Sequence, residues 1–324
     1  MRSDTIAPTS LTGGSLGPFA LLAMPPLLWA GNFIVGRALR TDVPPMTLAF
    51  ARHLLALVCV LPFAWNAMLR DAGRLWQARW LVVRTSLTGL AGFNLCVYAG
   101  LHSTAASNAL LLNSTIPVLI ALLGAAFYRQ RLGATQWCGM LVSSIGVLTI
   151  IAHGEIGRLV SLQFSSGDLT VFFGMVLFAL YSLWLRQLPA KLNPMGLLGW
   201  QLVVAAAALL PCFGWEYASG HRAQWHLASL AGIGYVAVFT SVFATFLYTS
   251  GVAKVGPARA GLFIHLIPVY GAILSRVLLG ETIQLYHVAG IAVIILGLLC
   301  ANMRRSHAAR PAAQPAARPA ATPR

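Results

Sequence analysis

Polar residues are so sparse along this chain that they act as punctuation between long apolar runs. Ten runs reach the roughly 20 mainly apolar residues that a membrane-spanning helix needs. They lie at about residues 17–39, 46–67, 80–101, 107–127, 134–152, 169–187, 195–215, 228–250, 258–279 and 283–302. Short connections carrying Pro, Gly or a charge separate them, most narrowly between runs 3 and 4 and between runs 9 and 10. The pattern predicts an all-α membrane protein with ten transmembrane helices, called spans 1 to 10 in chain order. Span 1 is long and has no basic stretch before it beyond Arg2. It is therefore expected to stay as a span and not to act as a cleaved signal peptide.

The pattern also repeats. Residues 107–146 return 151 positions later as residues 258–297, with Ile116-Pro117-Val118 answering Ile267-Pro268-Val269. In the same register Gly100 answers Gly251, Gln130 answers Glu281, Gly139 answers Gly290 and Gly146 answers Gly297. An earlier block matches at a shift of 149, pairing Arg37 and Leu39 with Arg186 and Leu188, Pro45-Met46 with Pro194-Met195, and Leu61-Pro62 with Leu210-Pro211. Two repeats are expected, at 17–152 and 169–302, followed by an Ala-, Pro- and Arg-rich stretch at 303–324 that reads as a disordered cytoplasmic tail. Five spans is an odd number, so the second repeat must enter the membrane upside down relative to the first. Two inverted five-helix repeats are how many carriers obtain alternative openings around one central site.

Composition agrees. Hydrophobic residues make up 58% and charged residues 9%, against roughly 25% charged in a soluble domain. So few charges cannot cover a soluble surface of this size. The net charge of +15 would suit nucleic acid, but the basic residues lie singly between apolar runs or in the tail, so no nucleic-acid partner is expected. With an inside N-terminus, fifteen Lys and Arg fall on the inner side and five on the outer, and ten against five remain without the tail. The positive-inside rule then puts both termini in the cytoplasm. The five cysteines, Cys59, Cys96, Cys138, Cys212 and Cys300, sit inside apolar runs without CxxC or CxxH spacing and read as packing residues, neither disulfides nor metal ligands.

Several motifs resemble the EamA-type drug/metabolite transporter (DMT) superfamily: Trp29-Ala30-Gly31-Asn32-Phe33, Asn113-Ser114-Thr115-Ile116-Pro117-Val118, and Leu279-Gly280-Glu281-Thr282 followed by Gly290 and Gly297. The resemblance covers nearly the whole chain outside the tail. It implies a ten-helix carrier of the bacterial inner membrane, usually an exporter of amino acids or other small metabolites. One departure stands out. The family's acidic element after span 4 reads Gln130-Arg131-Leu132, whereas Glu281 keeps the acid in the second half. The acid could help to gate or couple transport. A helix-start cap is the preferred reading, because a Glu there meets the helix dipole and Gln130 can serve equally.

Candidate chemistry lies in the polar residues that interrupt spans. Arg52 is the sharpest, and its counterpart in the other repeat is the neutral Gln201. A charge in hydrocarbon costs roughly 2.5–3.5 kcal/mol on the lenient insertion scale. Arg52 therefore either grips a substrate carboxylate with its forked donors or snorkels to the nearby helix end. His53 and His265 are the histidines well inside spans, and His265 lies one turn before Pro268, where a proline frees backbone carbonyls. His265 could relay protons or simply bond a neighbouring helix. Asn32, Asn94, Asn108, Asn113, Gln201, Thr240 and Thr245 complete the polar set, as ligands or as interhelical hydrogen bonds. Trp29, Phe93, Tyr98, Tyr181, Trp184, Phe239 and Tyr248 could wall an aromatic cavity or pack in lipid; Tyr181 is the counterpart of Asn32. Trp76, Trp80, Trp215 and Trp225 read as an interfacial belt. Pro117 and Pro268 are expected to mark equivalent bent helices beside the site, with His265 and Glu281 as candidates for coupling. The glycine pairs of spans 5 and 10 should let those helices pack closely.

The substrate-binding set is thus Trp29, Asn32, Arg52, Asn94, Tyr98, Asn113, Tyr181, Tyr248 and His265. A carrier of small molecules, seated in the bilayer and open to homodimer formation, is the leading reading. It would export amphipathic, amino-acid-like metabolites by alternating access. Its rivals are a multidrug exporter, which the positive charge of Arg52 disfavours, and an importer on the same scaffold. A membrane enzyme is the least favoured, because no HExxH, paired in-span carboxylates or Gly-rich phosphate loop occurs. No cofactor or metal is expected.

Overall fold

The computed structural model describes residues 17–104, 106–130, 132–155, 157, 165–189, 192–279 and 282–302. These residues are overwhelmingly helical. Eight helices are long and apolar enough to cross a membrane: α2 (Pro45–Gln77), α3 (Arg79–Ser103), α4 (Asn108–Tyr128), α5 (Ala134–Ile151), α6 (Ser166–Leu185), α7 (Pro194–Ala218), α8 (Leu227–Val255) and α9 (Pro257–Leu274). Two further helices, α1 (Gly17–Ala38) and the shorter apolar α10 (Leu285–Asn302), pack among them. Large apolar side chains such as Phe63, Leu169 and Val277 face outward, as a lipid-facing surface requires. Glu281 and the 303–324 tail lie outside the described residues.

The helices pair across the two halves: α5 with α10, α2 with α7, α3 with α6, α1 with α8, and α4 with α9. Exchanging the halves maps this set of pairs onto itself. The partners α2/α7 and α5/α10 are counterparts in sequence, and they run antiparallel. Gly139 lies against Gly297 and Ala301, whereas Gly146, two turns on, lies against Gly290 and Ile294. A Cβ at Gly139 would come within 2.4 Å of the Gly297 carbonyl, and one at Gly146 within 2.7 Å of the Gly290 carbonyl. The expected close contact between spans 5 and 10 therefore depends on glycine at both heights.

Carboxylates tie the ends of this frame. Glu216, near the end of α7, accepts from the Met46 and Thr47 amides at 3.1 and 2.6 Å and from the Thr47 hydroxyl at 2.7 Å. It caps α2, whose own Pro44 and Pro45 offer no capping side chain. At the opposite end Asp71 of α2 accepts from the Asn193 amide at 2.7 Å, and the Asn193 side chain caps α7. Each of the crossed helices thus supplies an acid at the start of the other. Helix α2 is longer than the expected 46–67, because its polar continuation keeps one face buried through Asp71 and Leu75.

Four irregularities interrupt the inner helices among the described residues. Helices α3 and α8 widen into π-turns at Ser86–Gly92 and Val236–Ala244, at corresponding positions of the two halves. Helix α4 breaks at Ser114–Thr115, and α9 tightens to a 3₁₀ turn at Phe263–His265. The irregularities near Pro117 and Pro268 lie just before each proline. Pro117 sits in the first turn of the resumed helix, where its missing N–H costs no bond.

Candidate functional site

The irregular stretches enclose one polar cluster around Arg52. The residue is 3% exposed and its side chain runs into the bundle, so it does not snorkel. Its Nε donates to Ser241 Oγ at 2.9 Å, and Nη1 to Asn32 Oδ1 and Asn94 Oδ1, each at 2.8 Å. Nη1 also bonds the Tyr98 hydroxyl, and Nη2 bonds Thr240 Oγ1. The Tyr98 ring lies 5.6 Å from the guanidinium carbon, and its hydroxyl donates to Asn32 Oδ1 at 2.8 Å. Every one of these partners is neutral. The five acids described sit elsewhere: Asp71 and Glu216 cap helices, Asp168 is held at the start of α6 by Ser165 and Thr104, Asp42 accepts from the Thr41 hydroxyl, and Glu155 follows α5. Arg52 thus carries a buried charge that oxygen dipoles solvate and that no carboxylate among the described residues balances.

The π-turns explain how the partners are aimed. A π-turn leaves a carbonyl outside the regular hydrogen-bond ladder. In α8 the Val236 carbonyl accepts the hydroxyls of Thr240 and Ser241, at 2.6 and 3.0 Å. Their lone pairs are thereby turned towards Arg52. In α3 the Leu90 carbonyl accepts from Asn94 Nδ2 at 2.7 Å, which presents Oδ1 to the guanidinium. Of the two hydrogens on Nη2, Thr240 takes one, and the other has no acceptor among the described residues.

Arg52 lines a cavity at the centre of the bundle with Trp29, Asn32, Asn94, Asn113, Tyr181 and Thr240, closed by aromatic and aliphatic groups including Phe93, Phe178, Ile116 and Ile267. Six of the nine expected binding residues therefore meet there: Trp29, Asn32, Arg52, Asn94, Asn113 and Tyr181. Tyr98, Tyr248 and His265 stand one layer behind. Tyr98 bonds the cluster. Tyr248 bonds Ser182 Oγ at 2.8 Å and packs against Trp29 and Phe178, with ring centroids 5.2 and 5.4 Å away. His265 is fully buried between Ser143 Oγ at 2.7 Å and the Ser114 carbonyl at 3.0 Å. The carbonyl freed by the break in α4 thus goes to His265, in this arrangement, and not to a ligand. Ser114 and His265 are themselves counterparts, 151 positions apart, so the two broken helices join at the junction of the halves. His53 bonds the Ala49 carbonyl of its own helix at 2.7 Å.

Free space in the cavity is only about 30 Å³, about the room of one water molecule. Sites that hold small organic ligands usually measure roughly 300–1,000 Å³. The cavity as it stands is too small for a metabolite, and its lining would have to move apart to hold one.

One expectation needs correction, and one residue was not anticipated. Gln130 does not cap α5: that cap is Gln136, whose Oε1 accepts from the Gly133 amide at 3.0 Å. The chain turns sharply at Arg129, in a left-handed conformation with φ of 50°, and Gln130 packs back beside Gly124. Ser241, a direct partner of Arg52, escaped sequence reading because a serine in a span is ordinarily bonded to its own helix.

A family profile described as the EamA-like transporter family matches residues 17–152 and 165–303. Over 216 residues the chain is 29% identical to the uncharacterized transporter YyaM of Bacillus subtilis (strain 168), covering 67% of this chain and 70% of that one. It is 24% identical to the uncharacterized transporter YetK of the same organism, over 90% of this chain and 88% of the other. It is 27% identical to the uncharacterized inner membrane transporter YicL of Salmonella typhimurium (strain LT2), over 70% and 74%. One crystal structure superposes with a TM-score of 0.71 at 18% identity, covering 89% of this chain and 97% of that one, a likeness of fold alone.

Proposed function

This multi-pass membrane protein belongs to the EamA-like transporter family, and on that premise we propose that it is an inner-membrane exporter of small carboxylate-bearing metabolites, amino acids or related compounds. The observation that carries the reading is Arg52. A guanidinium in a tight central cavity, with only neutral partners among the described residues, lacks a Coulombic complement there, and a carboxylate cargo supplies it. The Nη2 hydrogen not taken by Thr240 gives the cargo its first contact. The hydroxyls of Thr240 and Ser241 can yield to it, because each also bonds the Val236 carbonyl. The aromatic walls suit the apolar part of such a molecule. A cationic drug would meet the like charge of Arg52, which disfavours the multidrug reading.

Alternating access follows from the frame. Ten spans in two inverted repeats account for the antiparallel pairing of counterpart helices and for the matched π-turns and helix breaks. A closed central cavity is the state such a carrier passes through between its two openings. The excess of basic residues in one set of connections supports both termini lying in the cytoplasm, and export is taken from what the family resemblance implies. No catalysis is proposed.

The test is a metabolite profile of the medium from bacteria expressing the intact chain, the Arg52→Ala variant at equal membrane abundance, or an empty vector. The expected result is enrichment of one or a few carboxylate-bearing metabolites by the intact chain, lost in the variant. Equal enrichment by both would keep transport and remove Arg52 from binding. No enrichment over the vector would sink the export reading.

A further inference from the structure

A second concavity lies far from Arg52, at the arginine-rich end of α2 and α3. It is an open groove of about 510 Å³ between α2, α3 and α7, walled by Leu75, Val82, Trp200 and Val204. The size falls within the roughly 300–1,000 Å³ of sites that hold an organic ligand. Nearly all of the lining is apolar. Trp200 is fixed in the wall by its indole N–H, which donates to the Met68 carbonyl at 3.3 Å.

Two features indicate what fills the groove. Gly73 lies on its surface, within regular helix, and no atom stands within 4 Å of the place a Cβ would take. Neither its backbone nor its protein neighbours require glycine, and glycine within a helix costs about 0.5–1 kcal/mol against alanine. What a side chain there would obstruct is the groove itself. The second feature is the mouth. Arg79 holds its guanidinium beside the Trp76 and Trp80 rings, 5.3 and 5.9 Å from their centroids, and gives one donor to the Trp76 carbonyl at 3.3 Å. Trp76 and Trp80 are largely exposed, as residues of a membrane–water interface are. Arg70, Arg74 and Arg84 belong to the same end of these two helices.

An open apolar slot beside an arginine flanked by two exposed tryptophans, on the surface of a membrane protein, matches one kind of molecule. We propose that the groove binds an anionic phospholipid, with an acyl chain along Gly73 and Trp200 and the headgroup phosphodiester on Arg79. A zwitterionic lipid carries an ammonium that competes for its own phosphate, so the groove favours a lipid without one, such as phosphatidylglycerol. This site rests on the protein's residence in a membrane and not on the cargo assigned to Arg52.

Native mass spectrometry of the full chain in detergent tests it, with phosphatidylglycerol or phosphatidylcholine of matched acyl chains as the added lipid. The intact chain should retain one phosphatidylglycerol with about fivefold preference, the effect of one arginine near a charged headgroup. Arg79→Gln should bring phosphatidylglycerol down to the phosphatidylcholine level. Gly73→Phe should remove both, at an unchanged melting temperature; if the Phe variant does not fold, Gly73→Leu takes its place. Equal retention of the two lipids by the intact chain would overturn the site, leaving only annular lipid. A preference that survives both Arg79→Gln and the groove-filling variant would overturn it as well, by placing the lipid elsewhere.

Discussion

The two halves of this protein share one helical frame and treat the same central position in opposite ways. In the first half that position is Arg52, whose guanidinium has bonds to Asn32, Asn94, Tyr98, Thr240 and Ser241. In the second it is Gln201, also fully buried, whose Nε2 donates to Thr85 Oγ1 at 2.9 Å. Its Oε1 is the one buried side-chain polar atom without a hydrogen-bond partner among the described residues. Around these two residues the symmetry continues. The Tyr98–Asn32 bond of the first half has its counterpart in the Tyr181–Thr249 bond of the second, with the phenol transferred to the other partner. A symmetric scaffold has thus been made chemically one-sided. If Arg52 binds cargo as proposed, discrimination by charge would rest with the first half, because Gln201 is neutral.

The largest predicted effect comes from making the halves alike in the wrong direction. Gln201→Arg would place a second guanidinium where the resident amide has one side-chain partner, the Thr85 hydroxyl. The shell of five oxygens that solvates Arg52 has no equivalent there. A poorly solvated charge in a span costs about 2.5–3.5 kcal/mol or more, and two like charges would then share the core. The variant should fold in much lower yield and melt well below the intact chain in the same detergent. A melting temperature equal to that of the intact chain would show that either half can hold the charge.

Much of this contrast is legible in the sequence. A lone arginine in an apolar run stands out against any background, and the repeat register identifies Gln201 as its counterpart. Asn32, Asn94 and Asn113 are legible for the same reason, since amides in hydrocarbon demand partners. What hydropathy cannot carry is backbone geometry. A π-turn such as Ser86–Gly92 has the same apolar composition as the α-helix around it, yet it frees the carbonyl that orients Asn94. Ser241 was invisible because its role depends on that kind of turn. The capping acids Asp71 and Glu216 lie at the ends of apolar runs, where acids are common, and only the crossing of α2 and α7 reveals what they hold. Layering is equally hidden. Nothing in the residue types separates Tyr181, which lines the cavity, from Tyr248, which backs it.

A milder prediction compares the tyrosines of the two bonds that correspond across the halves, Tyr98–Asn32 and Tyr181–Thr249. Tyr98→Phe removes a bond to a charged group and a second bond to Asn32. Hydrogen bonds to charged groups contribute about 1.5–3 kcal/mol, and the loss also leaves Arg52 less well solvated. Tyr181→Phe removes a single neutral bond to Thr249, at 3.2 Å, for about 0.5–1.5 kcal/mol. Thermal melts of the two variants should therefore rank Tyr98→Phe clearly below Tyr181→Phe. Equal losses would mean that the oxygen shell around Arg52 is redundant, and the contrast between the halves would be one of charge alone.

The smallest effect is also the most revealing. Gln201→Met keeps the length of the side chain and removes both the unpartnered Oε1 and the Nε2 donor. Thr85 loses little, because its hydroxyl already donates to the Leu81 and Val82 carbonyls at 3.0 and 2.9 Å. Removing a buried polar atom that has no partner should stabilise the protein by about 1 kcal/mol, seen as a small rise in melting temperature. Transport of the same cargo, measured beside it, gives the result its meaning. If the melting temperature rises and transport is unchanged, Gln201 is a relic of a symmetric ancestor position. If the melting temperature rises and transport falls, the unpartnered oxygen is kept at a cost in stability because the moving carrier or its cargo uses it. The second half would then hold a contact of its own, an acceptor set against the donor Arg52, and the cargo would be gripped from both repeats.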